Sequence, residues 1–244
     1  VAKRHNTGQV GIILGMLLSF VLENFRSFRD PATLDLQKRS FKTNIPQDRD
    51  WSAVTFRRAG VFGPNASGKS NLVGGLGALA RAAVSSVQDE RYVRALRQPH
   101  SLEKEEATFF EVEYVAAGDR YRWAVEVGND GILSESLEAN LTGHWRRVFE
   151  RNRDALKFGP RAGISRASQE NLEDLLGPWA LTLTSMRLLR NVGDHAVASQ
   201  WWDSLRVVDT DGRLHRDVVE LVHSSPKWLK VAREVLRSAD FGIS

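Results

Sequence analysis

The chain has 244 residues, of which 42% are hydrophobic, so it is long enough to bury a substantial core in one or two domains. It carries 34 Lys and Arg against 30 Asp and Glu, and this mild formal charge of +4 permits nucleic-acid binding without indicating it. There is no cysteine, which excludes disulfides and cysteine-ligated metal sites and is typical of a cytoplasmic protein.

The N-terminus imitates a signal peptide, because Lys3, Arg4 and His5 precede a largely apolar run over residues 10–22. No small-residue cleavage site follows this run, and the run is too short to span a bilayer. We therefore predict a cytoplasmic protein with no membrane partner. We expect Met16 to be the natural start and residues 1–15 to be an extension that takes no part in the fold.

Two segments before residue 65 predict strands. Residues 17–25 read as a first strand, and residues 32–36 read as its hairpin partner across a turn at 30–31. The short apolar run over residues 59–62 then predicts a buried strand that ends at Gly63.

The next eight residues match the phosphate-binding pattern G-x-x-x-x-G-K-[ST], which predicts a nucleoside triphosphate site. The glycines let backbone N–H groups turn inward on the phosphates, and the following helix begins with its positive dipole end facing the same anion. Lys69 would reach the β- and γ-phosphate oxygens, and the Ser70 hydroxyl would be a ligand of Mg²⁺. The matching residues are Gly63, Pro64, Asn65, Ala66, Ser67, Gly68, Lys69 and Ser70.

The helix required after this loop is also predicted. Apolar residues recur at helical spacing at Leu72, Leu76, Leu79 and Ala83, through an Ala-rich stretch that ends near residue 85. Three glycines, at positions 74, 75 and 77, weaken such a helix by about 1 kcal/mol each relative to alanine. The helix should therefore depend on packing against the sheet.

The middle of the chain predicts antiparallel strands. Three alternating runs cover residues 109–115, 120–127 and 132–138, with turn residues between them. A further short pair, at 145–149 and 155–158, extends this layer. We expect these strands to pair as an antiparallel meander, which corresponds to the antiparallel arm of the family that the chain is shown below to resemble.

From about Ser168 the apolar period changes from two to near 3.6, which predicts helices to the end of the chain. Pro178 and Pro226 are typical of first helical turns. The adjacent Trp201 and Trp202 indicate a buried helix anchor. In the last helix Trp228, Leu229, Ala232, Val235 and Leu236 share one face, for which core packing is the simplest interpretation.

Two motifs together resemble one family. Residues 16–28, MLLSFVLENFRSF, are followed about 35 residues later by VFGPNASGKSN, which ends at Asn71. This pairing resembles the opening of the ABC/SMC-like AAA family ATPases, the RecF and OLD relatives. The middle of the chain is similar to the ATP-binding proteins of bacterial abortive-infection and anti-phage systems.

The resemblance implies an α/β P-loop NTPase lobe with a mixed sheet over residues 16–165. Residues 166–244 would then form the start of a helical insertion between the two lobes of an ATPase head. It implies that Arg26 contacts the nucleotide, that Asn65 faces the γ-phosphate side, and that Lys69 is the catalytic lysine. The cofactors would be ATP and Mg²⁺, and two heads would dimerise around the nucleotide.

Several parts of such a head are not found in the sequence. It lacks, after residue 71, an apolar strand that ends in Asp-Glu and a Ser-Gly signature, so the chain looks incomplete as an ATPase. Gln98 is a weak candidate for the glutamine that senses Mg²⁺ in ABC-type heads. DNA and an effector nuclease are the further partners that the resemblance suggests.

Three alternatives stay open at this point. The chain could be a nucleotide-gated interaction module that controls a separate effector nuclease. It could be a P-loop small-molecule kinase with Arg146, Arg147, Arg151 and Arg153 in a lid. It could also be an aspartyl-phosphate phosphatase with Asp209 as nucleophile and Asp211 as acid or base, although Asp-x-Asp-Gly is also a common turn sequence.

Overall fold

Seven strands form one sheet in the first of the two units into which the chain divides, Val1–Leu205 and Arg206–Ser244. The structure is a computed structural model that describes residues 15–153, 155–189, 194–207 and 222–238. All described pairings in the sheet are antiparallel, and the strand order is β2-β1-β3-β4-β5-β6-β7. The strands are β1 Gly15–Glu23, β2 Ala32–Asp35, β3 Thr108–Ala116, β4 Asp119–Gly128, β5 Gly131–Asn140, β6 Trp145–Asn152 and β7 Ala155–Phe158.

The alternating sequence pattern decides which face of this sheet is buried, because successive side chains of a strand point to opposite faces. One face is apolar and fully buried, and it includes Phe20 of β1, Tyr114 of β3 and Trp123 of β4. The opposite face is charged: Glu113 binds Arg120 and Arg122, and Arg122 also reaches Glu138. The predicted first hairpin, the meander and the β6–β7 pair are all confirmed.

The α-helices of this unit are α1 Trp51–Val54, α2 Lys69–Ser85, α3 Arg91–Arg94, α4 Arg166–Leu175, α5 Thr182–Met186 and α6 Asp194–Ser204. Two of them pack on the apolar face: α2 lies against β1, and α6 lies against β3. The predicted Trp201 and Trp202 anchor is confirmed, because both indoles of α6 are buried and Trp201 stacks on Tyr114 with ring centroids 4.3 Å apart.

Helix α2 lies very close to the sheet, as its glycines predict. A Cβ placed at Gly75 would lie 2.8 Å from Leu22 Cδ2 and 3.3 Å from the Phe25 ring. A larger residue at position 75 would therefore push the helix away from β1. The cost of a glycine inside the helix is offset by this close packing.

The predicted mixed sheet is not found among the described residues, and the segment before the phosphate-binding loop gives the reason. The predicted buried strand at 59–62 joins no strand; residues 56–67 are all exposed, and Phe62 is 93% exposed. Backbone pairing stops at Phe56, whose N–H donates to the Leu36 carbonyl at 2.7 Å. Because residues 59–62 pair with no described strand, they add no parallel strand to the sheet. All described pairings of the sheet therefore remain antiparallel.

Two predictions about the C-terminal helices need correction. Pro178 lies in a turn before α5 and not in a first helical turn, and its carbonyl accepts a hydrogen bond from the Ile132 N–H at 2.8 Å. In the second unit, Pro226 does begin helix α7, Pro226–Ser238. Its Trp228 is 47% exposed, so core packing of that side chain is not found within the described residues.

The remaining predictions about organisation are not decided by the structure. The boundary at 165 and 166 stays a prediction, and the extension at 1–15 lies outside the described residues except for Gly15, which pairs with Ala116. Within the described ranges, no helix has the length and apolar character that a membrane crossing requires.

Candidate phosphate-binding site

The two motifs that carry the family resemblance meet in space. A tight turn follows β1, in which Phe25 and Phe28 exchange both backbone hydrogen bonds at 2.9 Å. Arg26, between them, has a φ of 52°, a left-handed conformation that costs a non-glycine residue free energy. This turn lifts Arg26 and Ser27 towards the first turn of α2.

Side chains of this turn touch the end of the phosphate-binding loop. The Asn71 amide donates to Ser27 Oγ at 2.8 Å, and a Cβ placed at Gly68 would lie 2.7 Å from the same oxygen. Gly68 also has a φ of 90°. Glycine is therefore required at position 68 for two reasons, namely its left-handed conformation and the close approach of Ser27.

Arg26 lies beside the loop and is held there by Gln98. Its backbone N–H donates to the Gln98 carbonyl at 2.7 Å, and its Nε donates to Gln98 Oε1 at 2.8 Å. The guanidinium also reaches Asn71 Oδ1 at 3.5 Å. Sequence reasoning considered Arg26 and Gln98 separately, and the structure joins them in one hydrogen-bonded group at the start of α2.

Several backbone N–H groups of the loop have no acceptor among the described residues. Ser67 N–H donates to the Pro64 carbonyl at 3.3 Å, which curls the loop, and Ala66 has a φ of 63°. Within the described residues, the N–H groups of Asn65, Ala66 and Gly68, and those of the first three residues of α2, donate to no protein acceptor. Free N–H groups at a helix N-terminus, in a turned loop, are suited to bind phosphate.

The Lys69 ammonium lies against this loop. Its Nζ donates to the Gly63 carbonyl at 2.8 Å and to the Pro64 carbonyl at 2.5 Å, and Ser67 Oγ lies 3.4 Å away. The positive charge is therefore at the loop and not in bulk solvent. Ser70 follows at the second position of α2 with an exposed side chain, which leaves its hydroxyl free to bind a cation.

Asn24 fixes the turn that carries Arg26, a role that the sequence did not reveal. Its buried amide donates to the carbonyls of Glu103, Glu106 and Ala107 at 2.8, 2.7 and 3.2 Å, and its Oδ1 accepts from the His100 N–H at 2.8 Å. Asn24 has a φ of 48°. The four groups that bind the Asn24 side chain all lie more than 70 residues away in the sequence, so local patterns could not predict these bonds. The position of Asn24 in the Asn-Phe-Arg motif was the one sequence feature that pointed to a role for it.

A buried carboxylate supports the other end of α2. Glu135 of β5 accepts hydrogen bonds from the Trp123 indole at 3.0 Å and from the N–H groups of Thr182 and Leu183 at 2.6 and 3.0 Å. These bonds fix the start of α5, whose Thr184 hydroxyl reaches the Ala83 carbonyl of α2 at 3.0 Å. Burial raises the pKa of Glu135, and the three donors oppose that shift only in part.

Two of the arginines proposed for a kinase lid, Arg147 and Arg151, make contacts within the fold. Arg147 pairs with Glu150 on β6 at 2.7 Å, and the buried Arg151 donates to the carbonyls of Ala180 and Gly177. These contacts favour a structural role over a kinase lid. Asp209 and Asp211 lie outside the described residues.

In the part of the chain that the structure describes, no three His, Cys, Asp or Glu side chains come together as a metal site would require. Ser70 is the candidate cation ligand that the loop itself provides.

Comparison with known proteins agrees with this geometry. Residues 58–169 match a family model described as "AAA domain, putative AbiEii toxin, Type IV TA system". The matched range begins just before the phosphate-binding loop and ends within α4. No curated protein sequence matches the chain.

Proposed function

We propose, on the premise that residues 58–169 form an AAA domain of the abortive-infection class that their family model describes, that the chain binds ATP with Mg²⁺ at the loop of residues 63–70. In the complete protein, this binding would be followed by ATP hydrolysis. The observation that carries the proposal is the contact between the Arg26–Ser27 turn and the Gly68–Asn71 segment, because two separate motifs of one family converge on one phosphate-binding loop.

Each residue has a defined part in this proposal. The free N–H groups of residues 65, 66 and 68–71 would bind phosphate oxygens, and Lys69 would neutralise the charge that develops on the γ-phosphate. Asn65 would face the γ-phosphate, and Pro64 and Ser67 would shape the loop. Arg26 and Asn71 would fix the nucleotide from the side of the turn. Ser70 would hold Mg²⁺, which would supply positive charge to neutralise the phosphate oxygens.

The first test measures binding of a fluorescent ATP analogue in the presence of Mg²⁺. Lys69→Ala should weaken binding by about 10- to 100-fold, since a hydrogen bond to a charged group contributes about 1.5–3 kcal/mol. Lys104→Ala removes an exposed lysine outside the loop and is the matched control. Equal affinity of both variants for the analogue would refute the proposed site.

Hydrolysis is a separate question. We propose that two heads sandwich the nucleotide, and that a strand bearing an acidic pair, which is not found in this sequence, is needed for turnover. The 244-residue chain should therefore bind ATP and hydrolyse it hardly at all. Brisk turnover by this chain that Lys69→Ala abolishes would refute the requirement for further residues, while it would leave the nucleotide site intact.

The biological role that we propose is ATP-dependent control in anti-phage defence or DNA maintenance. A nucleotide-gated switch that acts on an effector nuclease is the alternative. Stimulation of ATP turnover by DNA in the complete protein would support a DNA-maintenance machine, whereas no response to DNA would support a protein-triggered switch.

A further inference from the structure

The excess of positive charge in the chain lies in one segment, residues 37–58, which is partly exposed and is anchored by the buried Trp51 and Thr55. This segment contains six Lys and Arg against two Asp, so its formal charge is +4. The rest of the chain contains 28 Lys and Arg and 28 Asp and Glu, so its formal charge is zero. The whole net charge of the protein therefore arises from 22 residues, which we call the basic segment.

Four cations of the basic segment are available to an external partner. Arg39, Lys42, Arg57 and Arg58 are exposed, and within the described residues their side chains make no hydrogen bond or ion pair. Arg57 is close enough to Asp50 to contribute to the lowered pKa of that carboxyl group, which is held mainly by the Ser52 hydroxyl and the Ala53 N–H. The other two cations of the segment already have acceptors: Lys38 donates to the Ala53 carbonyl, and Arg49 pairs with Asp119.

A short backbone ladder joins the two parts of the segment that carry these cations. Gln37 and Thr55 form an antiparallel bridge, with hydrogen bonds from Lys38 N–H to the Val54 carbonyl and from Phe56 N–H to the Leu36 carbonyl. Pairing ends at Phe56, so Arg57 and Arg58 follow the ladder directly on one segment, and Arg39 lies in the turn that follows the ladder on the other. The ladder therefore holds the two groups of cations on neighbouring segments of the backbone.

We propose that the basic segment binds the phosphate backbone of nucleic acid through Arg39, Lys42, Arg57 and Arg58. Three of the four cations are arginines, whose planar guanidinium binds phosphate oxygens in a bidentate manner. Phe56 is 51% exposed between the two groups of cations and offers an aromatic face on which an unpaired base stacks. The sequence pI of about 9.6 is in the range of nucleic-acid-binding domains. This binding does not depend on the proposed ATP site.

The test is fluorescence anisotropy of labelled single-stranded and duplex DNA, and of single-stranded RNA, without nucleotide, at 50–200 mM salt. Four phosphate contacts predict a slope of log K against log salt of about −2.8 for single strands and about −3.6 for duplex. Affinity should then fall by about 50-fold or 150-fold across this salt range. The larger slope would identify duplex as the bound form.

Two variants with the same change in net charge isolate the segment. Replacing Arg39, Lys42, Arg57 and Arg58 by Glu should weaken binding at least tenfold and bring the salt slope close to zero. The control replaces Arg81, Arg146, Lys227 and Lys230, which are exposed elsewhere, and should change affinity by less than threefold. Equal losses in both variants, no binding by the wild-type chain at 50 mM salt, or equally tight binding of polyglutamate would overturn the proposal.

Two further measurements keep this result interpretable. The Lys69→Ala variant should bind DNA with the same affinity as the wild-type chain. A failure of the proposed DNA binding can therefore be distinguished from a failure of the proposed ATP site. If the four-Glu variant does not fold, as judged by circular dichroism, single Gln substitutions at Arg57 and Arg58 should each reduce the slope by about 0.7–0.9. Unchanged slopes in these single variants would overturn the proposal.

Discussion

Replacing Glu135 by glutamine tests whether the buried carboxylate fixes the helices around the candidate site. The Oε1 atom accepts from the Trp123 indole and the Leu183 N–H, and glutamine keeps this oxygen. The Oε2 atom accepts from the Thr182 N–H at 2.6 Å, where the variant would place an NH₂ group against another donor. One buried donor left without an acceptor costs about 1–3 kcal/mol, which is the expected loss in the free energy of unfolding near pH 4.5.

The pH dependence of this loss has a definite sign. Burial raises the pKa of folded Glu135 above its ordinary value of 4.5. The stability that this group contributes is therefore fully present below about pH 4.5 and is lost as the pH rises through the folded pKa. The gap in unfolding free energy between the wild-type chain and Glu135→Gln should narrow over that range, by about 1.4 kcal/mol for each unit by which the pKa is raised.

Urea unfolding at pH 4.5, 6.0 and 7.5 measures this gap. Glu138→Gln is the matched control, because Glu138 lies on the same strand but its side chain is 35% exposed. Its ion pair with Arg122 is also long, with 3.4 Å between the guanidinium nitrogen and the carboxylate oxygen. An exposed pair of this kind contributes at most about 1 kcal/mol. A gap for Glu135→Gln that widens with pH, or that equals the gap for Glu138→Gln, would refute the reasoning.

Three further predictions concern the backbone around the site. Asn24→Ala removes a buried side chain with four hydrogen bonds and should lower the free energy of unfolding in urea by about 2–4 kcal/mol. The control Asn44→Ala removes one exposed hydrogen bond and should lower it by less than about 1 kcal/mol, and similar losses in both variants would contradict the role of Asn24. Ala66→Val places a β-branched residue at a φ of 63° and should weaken binding of the ATP analogue, whereas Ala66→Gly should retain that binding. Tighter binding by the valine variant than by the glycine variant would argue against this loop conformation. Gly159→Ala puts a Cβ against the Arg147 carbonyl oxygen of β6 and should lower the thermal midpoint by several degrees. Gly177→Ala has open space and should leave the midpoint within about 2 °C. Unchanged midpoints in both variants would show that Gly159 lies less close to β6.

The sequence predicted most of the sheet because period-two alternation is a local signal. The hairpin of β1 and β2 and the meander of β3, β4 and β5 were identified within a few residues of their observed bounds. The same signal failed at residues 59–62, where an apolar run predicted a buried strand and the structure shows an exposed segment. An apolar run indicates that burial of its side chains is favourable. A strand also requires a neighbouring strand that forms hydrogen bonds with its backbone N–H and C=O groups.

The candidate site shows the same division. Lys69, Ser70 and the loop glycines were identified because the phosphate-binding pattern is contiguous in the sequence. The support that Asn24 provides was not predicted, since its amide binds carbonyls about 80 residues away. Glu135 was not singled out either, because its partners lie on β4 and at the start of α5.

By itself, the sequence determined the local features of this protein: the positions of most strands, the helix after the loop, the residues of the phosphate-binding pattern, and the excess of positive charge. The tertiary structure alone decided which distant groups meet. It brought Arg26 to Gln98, Ser27 to Asn71, and the two halves of the basic segment into one ladder. The physical reason is that backbone conformation and side-chain periodicity are set by near neighbours, whereas the partners of a buried amide, a carboxylate or a strand edge depend on how the whole chain packs.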